Sequence, residues 1–171
     1  MRRKQRHWQN EGWDRVLKDK ILALLIEKVT AEIAGLSKIL EEALTAATHE
    51  EARPENQYDT RSVEASYLAA GQGQRIEGLR RALSVLRQIR VRKFTSADAI
   101  GLGALVTLSS GDRSSYYFFS PVAGGYQLDC GDRVVNVITP ESRMGQSLLD
   151  KVEGDEIEVS ASRHMLVEKI E

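Results

Sequence analysis

The sequence predicts an α+β protein: an N-terminal antiparallel coiled-coil hairpin of two long helices, followed by a small β-rich domain. Three observations predict it. Apolar residues recur at helical spacing through the first half of the chain. The texture turns to glycine and β-branched residues after Phe94. The charge, with 24 basic against 25 acidic residues in 171, is balanced in total but polarised along the chain.

The first helix is placed at about 13–47. Leu22, Ile26, Val29, Ile33, Leu36, Leu40, Ala43 and Ala47 follow one another in steps of four and three, a heptad seam sustained for nearly four repeats. No proline interrupts it, and Gly35 costs only about 1 kcal/mol relative to alanine. The second helix is placed at about 60–90, where Leu68, Gln72, Ile76, Leu79, Leu83 and Leu86 share a stripe and Asp59 or Thr60 can cap the start. Between them lies a polar tip, 48–59, with Pro54 disfavouring helix at Arg53. Two helices of similar length around a short polar break fold back on one another. Gly71-Gln72-Gly73 sits inside the second helix with no strand before it, so it is a poor phosphate loop. It marks either a close approach of the helices or a bend.

The hairpin occupies 1–93 and the β-rich domain 97–171. Strands are expected at 102–108, 116–120, 134–138, 156–159 and 165–170, between Ser-Gly-Asp, Gly-Gly and Gly-Asp breaks, with a short helix at 144–151. Folding back puts the acidic stretch, with seven acids in 41–64, at the far end of the stalk. The arginine-rich stretch, with seven bases in 75–93, falls near its root.

Several function classes are excluded. The one cysteine, Cys130, has no partner for an internal disulfide, and His7, His49 and His164 are scattered, so zinc and disulfide scaffolds are both unsupported. The longest apolar run, Ile21 to Ile26, is far short of the roughly 20 residues of a membrane span. A cytoplasmic protein without membrane partner or small-molecule substrate is expected. No catalytic triad or dinucleotide fingerprint is present.

Two segments carry a family resemblance. SRMGQSLLDKVEGDEIEV, Ser142 to Val159, resembles the Ser-Pro-Leu-Gly-Arg-Ala-Leu-Leu-Gly-Lys-x-x-Gly-Asp signature of the bacterial transcript-cleavage factors GreA and GreB. Ser142, Gly145, Leu148, Leu149, Lys151, Gly154 and Asp155 match in register. In the tip, Glu55-Asn56-Gln57-Tyr58 is similar to the family's Glu-Asn-Ala-Glu-Tyr. The resemblance covers essentially the whole chain and implies an FKBP-like C-terminal domain.

It further implies a transcription elongation factor whose β domain docks on RNA polymerase beside the secondary channel, while the coiled coil carries its tip to the active centre. Glu55, the one tip acid that carries over from the family residue by residue, would then help to hold a Mg²⁺ shared with the polymerase, together with Glu51 or Asp59 as a second acid. They orient a water that cleaves backtracked RNA. Such a factor is not a stand-alone enzyme; it stimulates the polymerase's own nuclease. The resemblance places the polymerase contact at Ser142, Arg143, Met144, Gly145 and Lys151.

The sequence departs from the family where the chemistry is concentrated. Ala52 stands where cleavage factors have an aspartate, Pro54 precedes Glu55, Arg143 replaces a proline and Asp150 a glycine. Three functions therefore remain open: a cleavage-stimulating factor, a channel regulator that binds without cleavage, and an interaction protein whose tip acids are only solvated charge.

Overall fold

The structure is a computed structural model. It describes the backbone of residues 11–48, 61–160 and 163–171, and side chains from 16 to 45, 67 to 159 and 163 to 171. Helix α1 spans Glu11–Thr48 and α2 spans Arg61–Leu86. They are followed by β1 (Leu105–Ser110), β2 (Arg113–Phe119), β3 (Gln127–Asp129), β4 (Val134–Ile138), α3 (Arg143–Leu148), β5 (Glu156–Ser160) and β6 (Arg163–Ile170). The chain divides into two compact units: Glu27–Ser84, and a second made of the residues up to Ile26 together with Val85–Glu171. The composition change near 91–97 lies within the second of these.

The unit Glu27–Ser84 is a pair of helices held by Val29, fully buried, and Ile76, 5% exposed, with Ile33, Leu36 and Leu79 half-buried beside them. The Arg75 guanidinium bonds the Glu32 carboxylate at 2.6 Å. An exposed pair of this kind contributes at most about 1 kcal/mol, yet it states the register. Glu32 lies level with Arg75, and lower numbers on α1 face higher numbers on α2. The expected stripe weakens towards the far end of α2, where Leu68 is 66% exposed, while Leu40 of the α1 seam stays half-buried.

At the base, within the other unit, the buried residues of α1 are Lys18, Ile21 and Leu25, while the expected Leu22 and Ile26 are half-buried. The apolar face here is wider than a heptad seam. A stripe of this width suits a helix covered on more than one side. Lys20 Nζ donates to the Cys130 carbonyl at 3.1 Å, which brings the base of α1 against the β3–β4 turn. Lys18 Nζ donates to the Arg92 carbonyl at 2.5 Å and lies 5.1 Å from the centre of the Phe94 ring, over which the Arg92 guanidinium also sits at 3.8 Å. Helix α2 stops at Leu86, short of the expected 90. Gln88 and Ile89 donate instead to the Val85 and Leu86 carbonyls, winding the last turn tighter.

The sheet is mixed, with strand order β3-β4-β2-β1-β6-β5. All pairs are antiparallel except β2 with β4, where Tyr116 faces Val135 and Phe119 faces Ile138. The expected strands are all present; β3 is an additional short one. Val106, Leu108, Phe119, Ile138, Leu148, Met165 and Val167 form one core cluster. Leu105, Phe118, Leu128 and Val135, on alternate positions of the same strands, are also fully buried, so both faces of the central strands are covered. Each such side chain contributes roughly 1.5–3 kcal/mol of transfer free energy.

Candidate functional site

The matched segment 142–155 turns out to be a continuous piece of structural engineering. Helix α3 has only six residues, too few to be stable alone, and Ser142 holds its start. With extended backbone (φ −71°, ψ 150°), Ser142 accepts at Oγ from the Gly145 N–H at 3.0 Å and donates the same hydroxyl to the Thr139 carbonyl at 2.7 Å. Gly145 is pressed against that carbonyl: a Cβ there lies 1.9 Å from Thr139 O, so only glycine fits. Leu148 then reaches the core, fully buried.

Past the helix, Asp150 takes up the left-handed conformation at φ +63°, which accounts for glycine being the residue the family signature places there. The Ile100 N–H donates to the Lys151 carbonyl at 2.7 Å, and Asp150 N–H donates back to Ile100 at 3.2 Å. Gly154 (φ +94°) donates to the Val167 carbonyl, and the Asp155 carboxylate accepts from the Val152 N–H at 3.0 Å, closing the turn into β5. Of the matched residues, then, Ser142, Gly145, Leu148, Gly154 and Asp155 shape the backbone or fill the core.

The structure therefore sorts the expected contact residues. Ser142 and Met144 line an open groove of about 520 Å³, together with Tyr117, Tyr126, Asn136 and Thr139. Arg143 is exposed at the start of α3, Lys151 is half-buried beyond its other end, and Gly145 is buried behind the helix. Leu149, 42% exposed, adds an apolar side chain at the surface just past the end of α3. The groove's other walls, Tyr117 and Tyr126, carry no sequence signal of their own: they lie in a β-rich stretch, and no motif joins them to Ser142. Tyr117 does pack against the core, which leaves its lining role invisible in one dimension.

Electrostatics near the sheet are local. The Asp132 carboxyl is held below its ordinary range, chiefly by its hydrogen bonds from Arg133, whose guanidinium lies 4.9 Å from the Tyr116 ring centre. Burial raises the Cys130 thiol, which leaves it a poor nucleophile. Glu51, Glu55 and Asp59 lie outside the described residues. Among the described residues no three His, Cys, Asp or Glu side chains come together in a way that could hold a metal ion, and no helix is long and apolar enough to cross a membrane.

No family model matches the chain, and no curated protein matches it. Among solved structures it is similar to GreA factor homolog 1 (Gfh1) of Thermus thermophilus, with 22% identity over 85% of this chain and 94% of that one and a TM-score of 0.35. It is similar also to a structure of the transcription factor Gfh1, with 21% identity over 86% of this chain and 93% of that one and a TM-score of 0.36. Thermus aquaticus Gfh1 is a third such structure, at 21% identity over 84% and 92% of the two chains and a TM-score of 0.35.

Proposed function

We propose that this chain is a Gre-type transcription elongation factor that binds RNA polymerase at its secondary channel and brings an acidic tip to the active centre to stimulate cleavage of backtracked RNA. One observation carries the reading. The residues that match the Gre signature each have a structural task in one continuous segment: the Ser142 cap and the Gly145 contact share the Thr139 carbonyl, Leu148 fills the core, and Gly154 and Asp155 close the turn into β5. Such a segment does not arise from scattered matches. Its chain also carries a helix pair whose connecting segment holds Glu51, Glu55 and Asp59.

In this mechanism the β domain provides the docking surface, with Arg143, Met144 and Leu149 presented on and around α3. Glu55 and Glu51 supply carboxylate oxygens, the donor type that a hard cation such as Mg²⁺ takes. A Mg²⁺ shared with the polymerase would serve as the Lewis acid of the hydrolysis. The work of this chain is to deliver and orient carboxylates; the nuclease centre is the polymerase's. Ala52 and Pro54 favour a second reading, a channel regulator that occupies the same place without cleavage.

The test is cleavage of RNA in a stalled, backtracked polymerase complex, with wild type, Glu55→Ala and Glu51→Ala. Cleavage that disappears with Glu55→Ala supports the first reading. Competition with a known cleavage factor in the absence of cutting supports the second. A protein that neither binds nor competes overturns both.

A further inference from the structure

Four interior glycines of the helix pair have no steric reason to be glycine. At Gly35, Gly71, Gly73 and Gly78 an added Cβ meets nothing within 4 Å, and none of them has a positive φ. The close approach of helices that the sequence allowed as one explanation is therefore ruled out. Each glycine weakens its helix relative to alanine with no packing in exchange.

Three of them, Gly35, Gly71 and Gly73, share one level, while Gly78 lies past the buried Ile76. The Glu32–Arg75 ion pair sets the register, and three residues further along α1 and three back along α2 it brings Gly35 level with Gln72. Gln72 occupies the apolar stripe between Gly71 and Gly73. Its Oε1 is buried with no hydrogen-bond partner, a state that costs free energy in the closed pair and is relieved when water enters. The seam changes character at the same level. Ile76 on one side is 5% exposed, whereas Leu68 on the other is 66% exposed.

From this coincidence we infer that the helix pair is built to flex at the level of Gly35 and Gly71–Gly73. The length of α1 and α2 beyond that level opens and bends relative to the length that holds Val29 and Ile76. The weakened helices supply the backbone freedom, and hydration of Gln72 offsets the cost of parting the seam. This inference concerns the free chain and does not rest on the polymerase reading.

Amide hydrogen exchange on the full chain tests it, with wild type, Gly71→Ala/Gly73→Ala and Gln72→Leu. In wild type, peptides covering 69–75 and 33–37 are expected to exchange at least about tenfold faster than those covering 79–86 and 20–30. The double alanine variant fits sterically and should slow exchange at 69–75 by about thirtyfold, from two helix-propensity gains, and leave 20–30 unchanged. Gln72→Leu should slow the same peptides. Uniform protection along α2 in wild type overturns the inference. So does an alanine effect that is absent, or equal along the whole pair.

Discussion

Replacing Gly145 by alanine is the sharpest probe of how the matched segment works. The new methyl group lands 1.9 Å from the Thr139 carbonyl oxygen, 2.8 Å from its carbon and 3.0 Å from the Ser142 hydroxyl. An ordinary carbon contact is about 3.5 Å, so the carbonyl has to move by more than 1 Å. That carbonyl accepts from both the Ser142 N–H at 3.0 Å and the Ser142 hydroxyl at 2.7 Å. Moving it loses two bonds of about 1 kcal/mol each. Local overpacking adds about 1–3 kcal/mol. The expected loss is about 3–5 kcal/mol from the sheet-bearing part of the chain. Urea titration followed by near-ultraviolet circular dichroism of the tyrosines reads it as a midpoint lower by at least about 1 M, given a slope of about 1–3 kcal/mol per molar. A loss below about 1 kcal/mol would show that α3 shifts freely, and would refute the claim that Gly145 is fixed by its backbone contact.

Two further outcomes follow from the same region. Asp150→Gly relieves a left-handed non-glycine residue while keeping the backbone bond to Ile100, and should raise stability by up to about 1 kcal/mol, measured as a higher melting temperature. Asp98 has a depressed pKa, owed first to the Thr95 hydroxyl, then to the Thr95 N–H and to Arg92. A depressed carboxyl stabilises the fold above its unfolded value near about 3.9 and loses that contribution as pH falls through the lower folded value. The melting temperatures of wild type and Asp98→Asn should therefore differ near neutrality and converge below about pH 4.

Legibility in the sequence followed the length of the physical signal. α1 and α2 each carry many turns of period, and β4 was placed at its observed bounds because Val134, Val135, Val137 and Ile138 crowd β-branched residues between glycine and proline breaks. β3 has three residues and one apolar position, Leu128, too little for a period of two to register. The sequence pattern carries α2 past its observed end at Leu86, since 87–90 is compatible with helix while the backbone tightens at Gln88 and Ile89. The stripe at the base shifted to Lys18, Ile21 and Leu25 because burial there is set by contacts from distant parts of the chain, such as Arg92 and Phe94 on Lys18. At the candidate site, Ser142 and Gly145 were singled out by resemblance, but their reasons for being serine and glycine involve Thr139. Only the folded geometry brings that oxygen within reach.

The strand order also says something about time. β1 is the first strand of the sheet in chain order, yet one of its two neighbours is the last, β6, with Val106 paired to Ile170 more than sixty positions later. The helix pair needs only a closure of 43 positions, from Glu32 to Arg75, and much of its structure is made by local turns. Closing the longer loop before any reward from pairing is entropically expensive, and contacts of high sequence separation form slowly. By logarithmic scaling with loop length the two closures differ by only about 0.4 kcal/mol, so the earlier formation of the helix pair rests on its local turns, and the seam between β1 and β6 is expected to close late. A chain cut before Arg163 would lose an interior strand of the sheet, leaving β1 with an unpaired edge and β5 with no partner strand.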